Sequence, residues 1–329
     1  MKVLVTGGDG LLGSNLLRML LKADHEVSVL LLDTGSLSPT IKDLNIEIIY
    51  GNILDLNSLD SAITGKEVVI HAAASTMVIP AKSSSIIEVN VKGTKNVIEA
   101  SLKHKIKRFI HVGSANSFCP GTFKNPGTEI NPYTGWKYGL DYMDSKKAAQ
   151  DLVLNAVKTH KLPALVVNPT FMLGAYDAKP SSGAMIIALY NQKLPGYTGG
   201  SKTYISVKDA SQAIVNAITL GRIGECYILG NHNLNYADAF KLMAEELKVT
   251  PPHFKLPDNI VKIYGRICSL ICKATRKTPT ITKELALLSC ENHIYSGEKA
   301  RRELNMPNTP LNIAIRESYE WFILNGYIS

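Results

Sequence analysis

The chain has 329 residues, 45% of them hydrophobic and 19% charged, enough for a large core and about two domains on the usual size prior. It shows neither a charged leader followed by an apolar core nor a run of about 18 apolar residues, so no signal or membrane-spanning segment is expected and the cytoplasm is the expected location. The net charge of +8 is concentrated late, in Lys262, Arg266, Lys273, Arg276, Lys277, Lys283, Lys299, Arg301 and Arg302, which reads as a solvated basic face or a patch for an anionic ligand or membrane surface; nucleic acid is not expected, because no nucleic-acid motif accompanies the charge.

Val3-Leu4-Val5 predicts a first strand, and Thr6-Gly7-Gly8-Asp9-Gly10-Leu11-Leu12-Gly13 leads from it into the apolar stretch 16–21. The order is strand, glycine turn, helix. Gly7 can take the positive φ of a tight turn, Gly10 lets backbone N–H groups approach a pyrophosphate, and Gly13 lets helix and strand pack closely. The helix N-terminus aims unpaired N–H groups and a positive dipole end at the phosphates. With a second strand at 26–32, Gly7, Gly10, Leu11, Leu12 and Gly13 are expected to hold a dinucleotide. An acid after that strand would accept the adenosine ribose 2′-hydroxyl and repel a 2′-phosphate. Asp33 is the candidate, a residue or two beyond the usual position, so the cofactor is NAD or NADP with a lean toward NAD.

Further strands are predicted at 46–50, 67–71, 108–112 and 164–167, with helices at 11–23, 58–64, 86–104 and 141–160. The early strands are nearly continuous in Val, Ile and Leu, as expected when helices cover both faces. The fold class is α/β, a doubly wound parallel Rossmann sheet with a second, smaller substrate domain.

Ser114 stands just past the strand at 108–112, at the edge where such sheets hold ligands, and its hydroxyl could hold a substrate oxygen. Tyr142 and Lys146 are four apart on a long helical segment, so the ammonium can sit near the phenol and lower its pKa. Tyr133/Lys137, Tyr204/Lys208 and Tyr295/Lys299 share the spacing but lie in a punctuated loop, a strand-like run and a segment far from the cofactor pattern.

After Asn168-Pro169 a glycine- and proline-rich stretch, 174–200, precedes the strand-like Tyr204 to Val207, an amphipathic helix at 208–220 and a strand at 226–229; these last elements are expected to rejoin the sheet. The resulting division is 1–173 with 206–229 for the dinucleotide-binding domain and 174–205 with 230–329 for the substrate domain. Within 259–273, Ile260, Ile263, Tyr264, Ile267, Leu270 and Ile271 share one helical face, with Lys262, Arg266, Ser269 and Lys273 mostly opposite. That face either packs into the core or forms an apolar wall for a greasy substrate, resting on a membrane surface. Cysteines at 119, 226, 268, 272 and 290 are an odd set without metal-ligand spacing and read as reduced, mostly buried thiols; no metal is expected.

The glycine turn, Ser114, Tyr142-Met143-Asp144-Ser145-Lys146 and Asn168-Pro169-Thr170 together resemble the extended short-chain dehydrogenase/reductase (epimerase/dehydratase) superfamily over essentially the whole chain. The resemblance implies Tyr142 as catalytic acid/base, Lys146 as its pKa modulator and a ribose ligand, and Ser114 as the substrate-oxygen partner. It also implies adenine-side contacts from Asn52 and Ile53 and nicotinamide-side contacts from Ala72, Ala73 and the Pro169 region. The segments 171–181 and 225–230 are similar to dihydroflavonol-reductase-like and 3β-hydroxysteroid-dehydrogenase-like members. Nucleotide-sugar epimerases commonly carry an Arg before the strand around Tyr204, where this chain has Lys202, which loses the bidentate fork for phosphate but keeps the charge; that departure counts against an epimerase without excluding one.

The leading expectation is therefore a reductase or dehydrogenase moving hydride between nicotinamide and a carbonyl or alcohol of a moderately hydrophobic small molecule. The alternative is a nucleotide-sugar epimerase or dehydratase with tightly bound NAD, and a further one is a scaffold or redox sensor without turnover. A homodimer through the helices near 86–104 and 141–160 is open.

Overall fold

The structure, a computed structural model, describes residues 1–275 and 281–328. Arg276 and Lys277, and the side chains of Cys272 and Lys273, lie outside the described residues.

The first half alternates strand and helix: β1 (Lys2–Thr6), α1 (Leu11–Lys22), β2 (Glu26–Leu31), β3 (Glu47–Tyr50), α2 (Leu56–Ile63), β4 (Val68–His71), α3 (Ser84–Ile87), α4 (Gly93–Lys103), β5 (Arg108–Val112), α5 (Asp141–His160) and β6 (Ala164–Pro169). The second half adds β7 (Phe171–Leu173), α6 (Ala184–Tyr190), β8 (Ser201–Ser206), α7 (Val207–Asn216), β9 (Cys226–Leu229), β10 (His232–Asn235), α8 (Tyr236–Leu247), α9 (Asp258–Thr275), α10 (Lys283–Ser289), β11 (Asn292–His293), α11 (Glu298–Leu304) and α12 (Leu311–Leu324).

Seven parallel strands form the large sheet in the order β3-β2-β1-β4-β5-β6-β9. Alternate residues of β1 enter two different cores, which explains its unbroken apolar run. Val3 and Val5 pack with Leu16, Leu17 and Leu20 of α1 and Ile214 of α7, whereas Leu4 packs with Ile63, Val97 and Val153 from α2, α4 and α5. The strand order reverses between β1 and β4, and a crevice opens there at the carboxyl ends of the strands.

The smaller domain is built on β8, which pairs with β7, β10 and β11 in a second sheet. Its core holds Tyr204, Phe240, Met243 and Phe322. The strand-like run at 204–207 thus supplies β8 to this second sheet, while α7 turns back to pack on α1 and β9 lies beside β6.

The helical stretch expected at 86–104 is broken by a π-helical turn at Glu88–Lys92. The extra residue buries Asn90, which accepts from Ser75 N at 2.7 Å and donates to Ser145 Oγ at 2.9 Å, tying this stretch to α5. The four described cysteines are free, and only Cys226 is fully buried, because Cys119 lies in a loop and Cys268 and Cys290 in the thin α9–α10 layer. Among the described residues no helix is long and apolar enough to cross a membrane.

Candidate active site

The crevice is a cleft of about 560 Å³ lined from both domains. At its floor, Gly7 has φ +73, and a Cβ there would stand 2.6 Å from Ala73 Cα, so only glycine fits. A Cβ on Gly13 would run into the carbonyl of Gly7. A Cβ on Gly10, by contrast, would meet only Gly7 O, at an ordinary 3.8 Å. It caps α1 without a side-chain hydrogen bond, and no acidic residue stands in the first turn, so the helix N-terminus meets the cleft uncompensated. These residues fit a dinucleotide pyrophosphate, with Gly7, Gly10, Leu11, Leu12 and Gly13 all in the lining.

The structure brings Ser114, Tyr142 and Lys146 together in the same lining, beside Ala72, Ala73 and Pro169. Ser114 leaves β5 in extended geometry and starts a 3₁₀ turn, its Oγ accepting from Asn116 N at 3.3 Å. The same hydroxyl is hydrogen-bonded to that of Tyr142. Tyr142 sits in the first turn of α5 and Lys146 one turn on, where its Nζ donates to Val112 O at 2.6 Å. Burial lowers the Lys146 pKa to about 8. Burial also pushes the Tyr142 hydroxyl above the ordinary tyrosine value, and the Ser114 hydrogen bond pulls it back. The downward shift expected from the Lys146 ammonium is not found: that ammonium is turned to Val112 O, and Ser114 alone opposes the effect of burial on the phenol.

Three of the predicted residues lie away from this lining. Asp33 is exposed beyond β2, and its carboxylate accepts from Gly35 N at 2.9 Å within its own turn. Asn52 is exposed after β3 with its Oδ1 on Leu54 N, and Ile53 packs against Gly93. The rival tyrosine–lysine pairs have other partners. Tyr133 donates to Asp144 at 2.6 Å, Tyr204 is fully buried, and Lys299 pairs with Glu225 at 2.7 Å.

Residues 3–230 match the profile of the NAD dependent epimerase/dehydratase family. The chain belongs to that family. This epimerase/dehydratase-family protein is an NAD(P)-dependent enzyme built for hydride transfer. It is 23% identical over 329 residues to a putative dihydroflavonol 4-reductase of Synechocystis sp., covering 98% of this chain and 95% of the relative. The crystal structure of gox2253 superposes with a TM-score of 0.88 at 27% identity, covering 100% of this chain and 99% of that one. PA4631, a nucleoside-diphosphate-sugar epimerase from Pseudomonas aeruginosa, gives a TM-score of 0.82 at 25% identity, covering 100% of this chain and 99% of that one.

Two features of the enzyme's site give structural partners to Asn168 and Lys202, residues already named from the sequence, and bring in Gln150, which was not. Asn168 donates to Ser114 O at 3.0 Å and to Gln150 Oε1 at 2.7 Å, so β6 and α5 jointly hold the Ser114 backbone. Gln150 is four residues after Lys146, and the Tyr142, Lys146, Gln150 spacing along one helical face was a usable signal. The second is Lys202 on β8. Its Nζ lies 4.6 Å from the centre of the Phe171 ring, and among the described residues no carboxylate pairs with it. Burial lowers its pKa to about 8.

Proposed function

We propose that the enzyme is an NAD-dependent epimerase of a nucleoside-diphosphate sugar, which reverses the order in which the sequence alone ranked the two readings. The observation that carries it is Lys202, a half-buried cation that pairs with no carboxylate among the described residues, in the same cleft as Ser114 and Tyr142. Half-buried and lining the cleft, this ammonium has no carboxylate of its own, and a phosphate oxygen of the substrate would supply the missing counter-charge. The second sheet thereby grips the substrate's anionic end, and the first sheet handles the reacting ring.

At that ring Ser114 holds the oxygen of the reacting carbon, and Tyr142 takes its proton and later returns it. Lys146 keeps a positive charge under the pair. The bound nicotinamide supplies the hydride acceptor and donor, so the cycle closes with no net redox change. Dehydration needs further proton-transfer groups, whereas Ala115 and Asn116 follow Ser114 and Asp177 is committed to the backbone of Ser181 and Gly183. Epimerisation is therefore the better fit. The exposed Asp33 and the hydrophobic Leu31 and Leu32 supply no cation for a 2′-phosphate, in keeping with NAD.

A second reading, reduction of an apolar ketone, draws support from the apolar lining of Leu140, Met143, Phe171, Met172, Leu285 and Leu288. The likeness to a putative dihydroflavonol 4-reductase points the same way. Purified enzyme offered uridine-, thymidine- and guanosine-diphosphate sugars, and separately apolar ketones with reduced cofactor, decides between them. Interconverted sugars with constant nicotinamide absorbance support the epimerase. Stoichiometric absorbance loss with a ketone, and no sugar turnover, sinks it.

A further inference from the structure

We propose that α9 is an interfacial helix that docks the enzyme on an anionic lipid bilayer. The six apolar residues that share one face, Ile260, Ile263, Tyr264, Ile267, Leu270 and Ile271, do not enter the core. Their exposures run from 48% at Ile267 to 65% at Leu270. The helix is instead held by its opposite side, where Val261 is buried and a Cβ on Gly265 would stand 2.5 Å from Ala286 Cβ of α10. From Ile260 to Ile271 the outer face is a continuous apolar strip about 17 Å long, of a kind that monomeric surfaces rarely expose.

The surrounding charge says what covers it. Lys262 and Arg266 lie on the helix flank between the two faces and pair with no carboxylate among the described residues, whereas Lys283, which opens α10, is engaged by Glu284 and does not add to them. The neighbouring acids are occupied: Asp258 accepts from Gly199 N at 3.1 Å, and Glu284, nearly buried, lies 3.7 Å from Lys283. Farther along the basic cluster, Lys299 and Arg302 are paired with Glu225 and Glu303 and do not add to this rim. Two copies joined through this face would each present an apolar strip edged by the same cations. An apolar strip edged by lysine and arginine matches instead the acyl boundary and headgroups of an anionic membrane.

Docking there would set the catalytic cleft close to the membrane. The α10 helix, which packs against α9, also contributes Leu285 and Leu288 to the cleft wall. The inference is independent of which substrate the cleft takes.

The test is sedimentation of the full chain with vesicles of phosphatidylglycerol mixed with phosphatidylcholine, and with phosphatidylcholine alone. The expected result is at least about tenfold stronger partition to the anionic vesicles, weakened by salt. The double variant Ile263→Glu/Ile267→Glu should stay in the supernatant with unchanged melting temperature and cofactor binding, and Lys262→Glu/Arg266→Glu should lose the preference for anionic vesicles. Absence of binding, equal binding to both vesicles, or binding untouched by the variants overturns the proposal. So does light scattering that finds a dimer which Ile263→Glu/Ile267→Glu splits, since a second copy would then cover the strip.

Discussion

The Lys146 ammonium donates to the Val112 carbonyl at 2.6 Å, two residues before Ser114, and so stitches the second turn of α5 to the end of β5. That bond sets the relative position of Ser114 and Tyr142. Because burial lowers the lysine's pKa to about 8, its charge is lost within an accessible pH range. With the cation required, kcat should fall as pH rises through about 8. Lys146→Met should remove that limb and lower kcat about 100-fold or more. A wild-type rate that holds steady to about pH 10 would contradict this.

Tyr142→Phe removes only the hydroxyl that exchanges the substrate proton. The expected loss is about 10²- to 10⁴-fold in kcat, with NAD binding by calorimetry and melting temperature near wild type. Ser114→Ala should cost less, because Tyr142 stays in place. Full activity in Tyr142→Phe would remove it from the mechanism.

Asn168 acts through Ser114 and is a positioning residue. Asn168→Ala leaves Gln150 Oε1 without its donor in a buried setting, at a cost of about 1–3 kcal/mol, whereas Ser114 O keeps the Ser117 N–H. Stability in denaturant should drop accordingly. The reading that goes beyond structure is kinetic: kcat should fall with KM for NAD unchanged. Equal loss of both would mark Asn168 as a stability residue only.

The sheet and the turn were legible in the chain because each strand's apolar pattern and the Gly7, Gly10, Gly13 spacing answer to local geometry. Tyr142 and Lys146 were legible for the same reason, since helical periodicity alone puts them on one face. Asn168 and Lys202 were legible only as positions, the first in the Asn168-Pro169-Thr170 segment and the second where epimerases carry an Arg, because their partners depend on which neighbours the tertiary fold supplies or withholds. The α9 face shows the limit most directly. Periodicity grouped Ile260 with Ile263, Ile267 and Ile271, but whether a partner helix covers that group depends on where Gly265 lets α10 approach from the other side.

Lys202→Met keeps length and packing on Phe171 while removing the charge. If Lys202 grips a phosphate, KM for a nucleoside-diphosphate sugar should rise about 10- to 100-fold, with kcat changing much less. An unaltered KM would count against an anionic substrate.

His71, His111 and His293 make the fold acid-sensitive in a definite window. Burial, with Lys146 beside the first and Lys202 beside the last, pushes the His71 and His293 pKa values down to about 3, and that of His111 falls well below the usual value. In the unfolded chain each titrates near 6.5, so below that pH the unfolded state binds protons that the native state refuses. Stability is therefore fully present above about pH 6.5 and declines as pH falls, by about 1.4 kcal/mol per pH unit for each histidine. Depressed carboxylates such as Glu47 add to the decline only nearer their own range, so denaturant titrations between about pH 7 and 5 isolate the histidines. His111 offers the cleanest variant, because neither of its buried ring nitrogens has a hydrogen-bond partner among the described residues. His111→Leu should flatten the slope by about one proton's worth and raise stability at pH 5, whereas an unchanged slope would show that His111 is not held neutral by its surroundings.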